Sequence, residues 1–341
     1  MNEQLLITTA TALLAGSKGL LAMDESTGTC NKRFGQLGIA QNEAARRDWR
    51  ELIVSTPRLN ECISGAILYD ETIHQQKRDG TPIIKALIDS GIIPGIKVDI
   101  GAVELAGFAG EKITEGLDGL RERLKTYAAL GARFAKWRAV ITIADGIPTD
   151  ACIEANAHAL ARYAVLCQEA GLVPMVEPEV LMDGDHDLQR CIDVTQEVLH
   201  CVFGQLHQQK ILLEGMILKP NMVISGLNCN TQATVDEVAD ATIKCLLRCV
   251  PAAVAGIAFL SGGQSGESAT QHLNAMHVRH QSQLPWPLTF SFARAIQQPA
   301  MEIWSGKDEK VEAAQKALYH RAKCDAAARR CAYDSDIENK V

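Results

Sequence analysis

The sequence lacks the features that mark several classes of protein. No apolar run approaches the roughly 18 residues of a membrane-spanning helix, and the segment Met1 to Gln4 includes an acid where a signal peptide is basic. The 11 cysteines are odd in number and contain no C-x-x-C pair, which is typical of reduced thiols inside a cell. We therefore expect a cytoplasmic protein that has no membrane partner.

An excess of positive charge and the common nucleotide-binding motifs are also missing. The 341 residues include 34 basic and 41 acidic side chains, a formal net charge of −7, so we do not expect a nucleic-acid partner. Neither G-x-x-x-x-G-K-[ST] nor a strand-linked G-x-G-x-x-G occurs, which removes the main support for a P-loop or dinucleotide-binding fold. The 47% hydrophobic and 22% charged residues are ordinary for a soluble globular protein.

Eight short apolar runs rich in β-formers recur along the chain. Their first residues lie 30 to 43 positions apart, which leaves room for a helix after each strand. This spacing predicts an α/β fold, a single (β/α)8 TIM barrel over residues 1–341 with additional N- and C-terminal helices. The predicted strands are Leu20–Asp24, Cys62–Asp70, Ile92–Asp99, Phe134–Ile141, Leu172–Leu181, Gly215–Asn221, Gly256–Gly263 and Pro287–Ala293.

The segments between these runs have helical periodicity, and several begin on Asp or Thr, which favour N-caps. The predicted helices are Asn42–Val54, Leu117–Tyr127, Asp150–Ala170, Asp183–Phe203, Thr234–Leu247 and a last one from Lys307 to about Cys331. No Pro-rich or low-complexity linker divides the chain. Residues from about 332 to 341 are predicted to form a flexible tail.

Charged residues stand at or near the carboxyl ends of six of the eight predicted strands, the end at which a TIM barrel has its active site. A single charge there is more often a solvated cap. Charges of both signs in an apolar frame, however, are costly unless they are paired or bound to a ligand, so the group predicts a site. Its members are Asp24, Lys97 with Asp99, Lys136 with Arg138, Glu177 with Glu179, Lys219, and Arg294.

Lys219 has the surroundings of a nucleophile. It lies in Met216-Ile217-Leu218-Lys219-Pro220-Asn221, an apolar frame in which burial favours the neutral amine, and a second cation such as Lys136 would favour it further. A neutral lysine amine can attack a ketone and form an imine. The alternative is an ion pair with Glu177 or Glu179, which would not exclude that chemistry.

The loops after the last two predicted strands have the residues of an anion site. Ser261-Gly262-Gly263-Gln264-Ser265-Gly266 ends the seventh strand, and Ser291-Phe292-Ala293-Arg294 ends the eighth. These two loops form the recurrent phosphate site of TIM barrels. Glycines let backbone N–H groups approach an anion, and arginine binds phosphate through two hydrogen bonds. A plain flexible loop would explain the glycines alone, but Arg294 beside them favours a phosphate site.

Three histidines, His272, His277 and His280, raise the question of zinc chemistry. They fall in a polar stretch with no Cys or acid at ligand spacing, so a solvated helical surface is favoured over a metal site. Cys245 and Cys249, four residues apart in a Leu-rich stretch, are interpreted as core residues rather than metal ligands.

Six motifs in register, from about residue 10 to residue 333, closely resemble those of class I fructose-bisphosphate aldolase. They are Leu21-Ala22-Met23-Asp24-Glu25-Ser26-Thr27-Gly28, Gly95-Ile96-Lys97-Val98-Asp99, Phe134-Ala135-Lys136-Trp137-Arg138, Val176-Glu177-Pro178-Glu179, Leu218-Lys219-Pro220-Asn221-Met222 and Phe259-Leu260-Ser261-Gly262-Gly263-Gln264-Ser265. L-K-P-N alone would be weak, but six motifs in order are highly specific.

The resemblance implies a lyase of glycolysis and gluconeogenesis that reversibly cleaves fructose 1,6-bisphosphate to dihydroxyacetone phosphate and glyceraldehyde 3-phosphate. By the match, Lys219 forms the imine, Glu177 is the acid and base of imine formation, and Asp24 assists deprotonation of the C4 hydroxyl. Lys136 would position the substrate and hold Lys219 neutral, with Glu179 in support. The family uses no metal and no cofactor, and it is typically a homotetramer.

The same match implies two phosphate subsites, and its expected partners are sugar phosphates. Ser261, Gly262 and Arg294 would bind the C1 phosphate, with Gly263 and Ser291 in the same two loops. A second group would face the C6 phosphate: Ser26, Thr29, Lys97 and Arg138, with Arg33 nearby.

The sequence departs from many relatives at three places. Ile100 stands where relatives often have lysine, and Phe292-Ala293 stands where many have Tyr-Gly. The Ala293 Cβ restricts the backbone beside the C1 phosphate. Many relatives also end in a tyrosine on a mobile tail that assists proton exchange at C3, whereas Tyr333 is the last tyrosine here.

Three alternatives to this interpretation remain open. One is a metal-dependent aldolase that uses His272, His277 and His280. Another is a catalytically silent scaffold, although such a relative should have lost Lys219, Glu177 or Asp24, and all three are present. The weakest is a pyridoxal-phosphate enzyme, which an absorption band from the bound cofactor would reveal.

The absence of a terminal tyrosine predicts that the terminal-tyrosine proton shuttle is missing or replaced. Deletion of residues 334–341 should therefore leave exchange of the C3 proton of dihydroxyacetone phosphate measurable, since no terminal phenol is removed. The exchange rate is followed by the loss of isotope label into solvent. Abolished exchange in the truncated protein would contradict the prediction.

Overall fold

The computed structural model describes residues 2–339. The structure has ten strands: β1 Gly19–Met23, β2 Ile63–Leu68, β3 Ile93–Lys97, β4 Gly101–Glu104, β5 Lys112–Glu115, β6 Phe134–Ile141, β7 Val173–Val180, β8 Ile217–Leu218, β9 Gly256–Phe259 and β10 Leu288–Phe292 among the described residues. Eight of them are parallel and close into a barrel in the order β1-β10-β9-β8-β7-β6-β3-β2. Each of the eight barrel strands coincides with a predicted apolar run, which confirms the predicted TIM barrel.

Thirteen α-helices accompany the strands in the described part of the chain. They are α1 Glu3–Leu13, α2 Thr27–Gln36, α3 Glu43–Val54, α4 Asp70–His74, α5 Ile83–Asp89, α6 Leu120–Leu130, α7 Asp150–Glu169, α8 Leu188–Gln208, α9 Val235–Cys249, α10 Gly266–His280, α11 Arg294–Trp304, α12 Val311–Ala328 and α13 Ser335–Glu338. None of the helices described is both long and apolar enough to cross a membrane.

Three predicted helices begin three or more residues later in the structure than expected, and one of them is α12, which begins at Val311 after a 3-10 turn over Asp308–Lys310. α6 begins at Leu120 because Gly119 before it has φ of +66°, in the left-handed region. α8 begins at Leu188, and the Asp187 carboxylate caps it by accepting from the Arg190 N–H at 2.8 Å. The apolar pattern located α6 and α8, but the local backbone and the capping group decided their first residues.

An antiparallel hairpin formed by β4 and β5, which pair Gly101 with Glu115, was not predicted from the sequence. Each strand has four residues, and most of β4 is exposed, so neither presents a long alternating pattern. The hairpin follows β3 directly and lies beside the carboxyl end of the barrel, where Gly101 and Ala102 line the cavity described below.

The amino-terminal end of the barrel is packed by α1 and large interior side chains. Leu6, Leu13 and Leu14 join Phe134 in one buried apolar cluster. Glycines in the strands provide the room: a Cβ added to Gly95 would lie 2.3 Å from the Phe134 ring. Because this end is filled, the space left for a ligand is at the opposite, carboxyl end.

The C-terminal segment after α12 is held by contacts where the described residues include it. Glu338 of α13 forms an ion pair with Arg321 of α12, and its Oε2 accepts a hydrogen bond from the Tyr333 hydroxyl at 2.6 Å. In the structure, residues 333–338 of the segment predicted to be a flexible tail therefore rest against α12.

Substitution of Gly95 by Ala tests the packing at the amino-terminal end of the barrel. The added methyl group has no room beside Phe134, so we expect Gly95→Ala to lower the free energy of unfolding by about 1–3 kcal/mol. The measurement is urea unfolding at matched protein concentration.

Gly204→Ala is the matched control. Gly204 lies within α8 with nothing within 4 Å of an added Cβ, so alanine there should raise helix stability by about 0.5–1 kcal/mol. Equal effects of the two substitutions would contradict the packing argument.

Candidate active site

All the candidate site residues line one cavity of about 550 Å³ at the carboxyl ends of the barrel strands. β6 and β7 pair in register over their whole lengths, with Arg138 opposite Glu177. Beyond β8, the Lys219 N–H donates to the Val176 carbonyl of β7 at 2.8 Å. The structure thus brings together Asp24, Ser26, Thr29, Arg33, Lys97, Lys136, Arg138, Glu177, Glu179, Lys219, Ser261, Gly262, Gly263, Ser291 and Arg294.

Four charged side chains of alternating sign form a chain across the floor of this cavity. Lys219 Nζ lies 3.0 Å from Glu177 Oε1, and Glu177 Oε2 lies 3.2 Å from Lys136 Nζ. The same Lys136 Nζ lies 2.8 Å from Asp24 Oδ2. All four residues are buried, and none is more than 7% exposed. Ion pairs this deeply buried are poor stabilisers, so their presence here is a strong indication of function.

The two carboxylates of this chain stay ionised although burial opposes their charge. Burial raises the pKa of Asp24, but the positive charges of Lys136 and Lys219 outweigh burial and lower it to about 2. Burial also raises the pKa of Glu177, but the positive charges of Lys136, Lys219 and Arg138 outweigh burial and lower that pKa below its ordinary value. Both groups can therefore accept hydrogen bonds or protons at neutral pH.

Lys136 is the cation that links the two carboxylates of this ion-pair chain, because it pairs with both Asp24 and Glu177. Burial disfavours its ammonium group, yet the carboxylates of Asp24, Glu177 and Asp99 outweigh burial and raise the pKa of Lys136 above its ordinary value. A permanently charged Lys136 places a positive charge on the far side of Glu177 from Lys219. It is thus positioned to hold the carboxylate and a bound substrate.

Glu179 has a different neighbour from the one expected from the resemblance. Its ion-pair partner is Arg138 at the edge of the cavity, and not Lys136, which pairs with Asp24 and Glu177. Two residues apart along β7, Glu177 and Glu179 point to the same side of the strand but at different depths. Glu177 therefore meets the buried lysines, and Glu179 orients the guanidinium at the rim.

One side of the cavity has the geometry expected of the C1-phosphate subsite. Gly262 and Gly263 both have positive φ, +51° and +73°, and the Ser291 hydroxyl is buried without a hydrogen-bond partner among the described residues. Arg294 begins α11 and is exposed. Ala293 has φ of −107°, outside the left-handed region that favours glycine.

The opposite side of the cavity is formed by the start of α2 and the end of β3. Ser26 caps α2, and its Oγ accepts from the Thr29 N–H at 3.3 Å. Lys97 Nζ lies 2.7 Å from Asp99 Oδ1. The hydroxyls and the helix N-terminus are suited to an anion, and the lysine supplies the counter-charge.

Arg33 is less available to a ligand than the sequence analysis expected. Its Nη1 lies 2.5 Å from Glu25 Oε1, and Gln297 and Gln298 also accept from it. Glu25 in turn holds Arg50, which is 2% exposed, at 2.8 Å. Glu25 was not among the site residues predicted from the sequence. The signal that could have found it is a second acid directly after Asp24 at a strand end.

The prediction that the three histidines form a solvated surface is wrong for His272 and His277, whereas His280 is partly exposed and pairs with Asp240. His272 and His277 of α10 are buried, 9% and 6% exposed, because α10 packs against α9 and α12. Among the described residues, the only cluster with metal-binding geometry is a different one, His320, Cys324 and Glu338. Cys245 and Cys249 are buried as predicted.

The buried His277 predicts a specific loss of stability in acid. Burial, with the positive charge of Arg329 as a smaller cause, lowers its pKa from 6.5 to about 4. Between these values the unfolded chain binds a proton that the folded chain does not bind, so stability falls as the pH falls. In His277→Gln, the loss between about pH 6.5 and 4.5 should be smaller by on the order of 2 kcal/mol.

Urea unfolding at each pH measures this difference. His158→Gln is the matched control, because His158 is exposed, and it should keep the original pH dependence. If His277→Gln and His158→Gln lost stability equally in acid, burial of His277 would not be the cause.

Known proteins of similar sequence belong to one family. The family model described as fructose-bisphosphate aldolase class-I matches residues 5–341. A protein of Xanthomonas campestris pv. campestris named "Probable fructose-bisphosphate aldolase class 1" is 58% identical over 325 residues, covering 95% of this chain and 96% of that protein. The cytosolic fructose-bisphosphate aldolase 6 of Arabidopsis thaliana is 49% identical over 333 residues, 98% of this chain and 92% of that protein.

A solved structure is similar over nearly the whole fold. Fructose-bisphosphate aldolase from Plasmodium falciparum, in a complex with TRAP and a small-molecule inhibitor, superposes with a TM-score of 0.95 at 45% identity. The match covers 98% of this chain and 96% of that one. With a family model over almost the full length and relatives well above 30% identity, the chain belongs to the class I fructose-bisphosphate aldolase family.

Proposed function

We propose that this class I fructose-bisphosphate aldolase works through a Schiff base on Lys219. It would cleave fructose 1,6-bisphosphate reversibly to dihydroxyacetone phosphate and glyceraldehyde 3-phosphate. The observation that carries the proposal is the buried chain Lys219–Glu177–Lys136–Asp24 at the floor of a cavity with anion-binding groups on both sides. The nucleophile Lys219, the proton carrier Glu177 and the second carboxylate, Asp24, each lie within hydrogen-bond distance of the next charged group.

The first stage is imine formation between Lys219 and the C2 ketone of the substrate. The Lys219 amine adds to C2, and the resulting carbinolamine loses water. Glu177, with Oε1 3.0 Å from Lys219 Nζ, accepts one proton from the Lys219 ammonium before the neutral amine attacks, and later donates that proton to the departing hydroxyl, which leaves as water. Lys136 holds the other oxygen of Glu177, so the carboxylate keeps its position during both transfers.

The second stage is cleavage of the C3–C4 bond. Asp24 accepts the proton of the C4 hydroxyl, the C4–O bond becomes a carbonyl, and the electron pair of the C3–C4 bond moves into the iminium. Glyceraldehyde 3-phosphate leaves, and an enamine of dihydroxyacetone phosphate stays on Lys219. Protonation at C3 and hydrolysis release the second product and restore the amine.

The charge balance of the cavity suits a substrate with two phosphates. Seven basic and five acidic residues line it, a local charge of +2 in a chain whose formal net charge is −7. Two of the acids, Asp24 and Glu177, lie at the floor, where the reaction requires them. Lys97 and Arg294 stand at separate sides of the mouth, so they attract one phosphate each.

We also propose a cytoplasmic homotetramer that takes part in glycolysis, with sugar phosphates as its partners. The support for the compartment is the name of the Arabidopsis relative, which is cytosolic, and the 11 cysteines, all of which are free. The tetramer rests on the family resemblance alone.

Reduction with borohydride in the presence of dihydroxyacetone phosphate tests the mechanism. Borohydride converts the imine to a stable secondary amine, so peptide mass spectrometry should find one adduct, on Lys219. Lys219→Met should form no adduct and lose at least about a thousandfold in kcat, about 4 kcal/mol in the barrier.

The matched control is Lys244→Met, which removes an exposed lysine of α9. It should keep both the adduct on Lys219 and the rate. An adduct on another lysine in the unmodified sequence, or none at saturating substrate, would overturn the proposed mechanism.

A further inference from the structure

We propose that His320, Cys324 and Glu338 form a binding site for a thiolate-preferring divalent metal ion such as Zn²⁺, which fastens the C-terminal segment to helix α12. Each residue offers one ligand atom, and these atoms lie within 4.8 Å of one another. Imidazole nitrogen, thiolate sulfur and carboxylate oxygen are the three ligand types that zinc takes in proteins. The site is separate from the residues that carry the aldolase reaction.

The two helical ligands already have the separation that a metal requires. His320 and Cys324 are four residues apart on α12, so they share one face of the helix. Their Nε2 and Sγ atoms lie 3.6 Å apart. With metal–nitrogen and metal–sulfur bonds of about 2.1 and 2.3 Å, a tetrahedral angle also places these atoms about 3.6 Å apart.

The third ligand comes from the C-terminal segment. Glu338 ends the one-turn helix α13, and its side chain is 16% exposed. Arg321 holds one of its oxygens, and the Tyr333 hydroxyl donates to the other, Oε2, at 2.6 Å. In the bound state Oε2 turns from Tyr333 to the metal, and Arg321 keeps its ion pair with Oε1.

Metal binding releases one proton. A free cysteine is mainly a thiol at neutral pH, so the metal-free Cys324 sulfur carries a proton. Binding breaks the S–H bond, forms the sulfur–metal bond and releases the proton to solvent. The thiolate and the carboxylate of Glu338 supply two negative charges, and the carboxylate is shared between the ion and Arg321. His320 gives up its hydrogen bond with the Glu338 carbonyl, 2.9 Å long.

The site lies beside a cavity that adjoins the active site. Glu338 lines this cavity of about 520 Å³, which shares Arg33, Gln36, Gly263 and Arg294 with the active-site cavity. Without metal, hydrogen bonds and one ion pair hold Glu338 there. A metal bond to α12 would fix this wall of the adjoining cavity more firmly.

Titration of the reduced, full-length protein with Co²⁺ tests the site, because a cobalt–thiolate bond gives an intense charge-transfer absorption. One equivalent of Co²⁺ should produce this band, and Zn²⁺ should displace it. Cys324→Ser should abolish the band. Glu338→Gln changes a residue of the C-terminal segment, outside the barrel strands. It should weaken Co²⁺ affinity at least tenfold without disturbing the barrel.

Two matched controls complete the experiment. Cys331→Ser removes the exposed thiol of the same region, and Asp336→Asn removes an exposed acid of α13; both should keep the band and the affinity. Hydrogen exchange of residues 333–339 should slow on addition of Zn²⁺. No band with one equivalent, or an unchanged band in Cys324→Ser or unchanged affinity in Glu338→Gln, would overturn the site.

The outcome is independent of the proposed imine mechanism. Exhaustive EDTA treatment should remove the Co²⁺ band and leave the borohydride adduct on Lys219 in place. A missing adduct with an intact band would refute only the mechanism, and the reverse result would refute only the metal site.

Discussion

The buried ion-pair chain Lys219–Glu177–Lys136–Asp24 is the interaction on which the rest of the site depends. Four charges at 7% exposure or less are expensive to remove from water, and loss of one partner leaves an uncompensated charge worth about 3–5 kcal/mol. The chain is held in place because its members extend from β1, β6, β7 and β8. The closed barrel therefore fixes the distances that the reaction needs.

A second layer of pairs surrounds this chain and separates the reacting groups from the binding groups. Glu179 orients Arg138 at the rim, and Glu25 holds Arg33. These pairs keep arginines near the mouth without letting them approach the floor. Arg294, in contrast, begins a helix and is exposed, so it is free to meet a phosphate.

Much of this arrangement could be predicted from the sequence. Apolar runs at regular spacing predicted the eight barrel strands, because buried parallel strands need such runs and helices must fill the intervals. The charges at the strand ends then predicted the site. Sequence patterns did not predict the β4–β5 hairpin, whose strands are short and exposed, or the burial of His272 and His277, which depends on how α10 packs.

The sequence by itself determined which residues stand at the mouth of the barrel. The carboxyl ends of all eight parallel strands lie at one end of the barrel, so charges at those strand ends meet there. Only the tertiary structure decided which charges pair. Glu177 and Glu179 are equivalent in the sequence, yet one meets Lys136 and Lys219 and the other meets Arg138. The reason is depth: residues two positions apart on one strand are separated by about 6.6 Å along it, so they lie in different layers of the barrel interior and meet different partners.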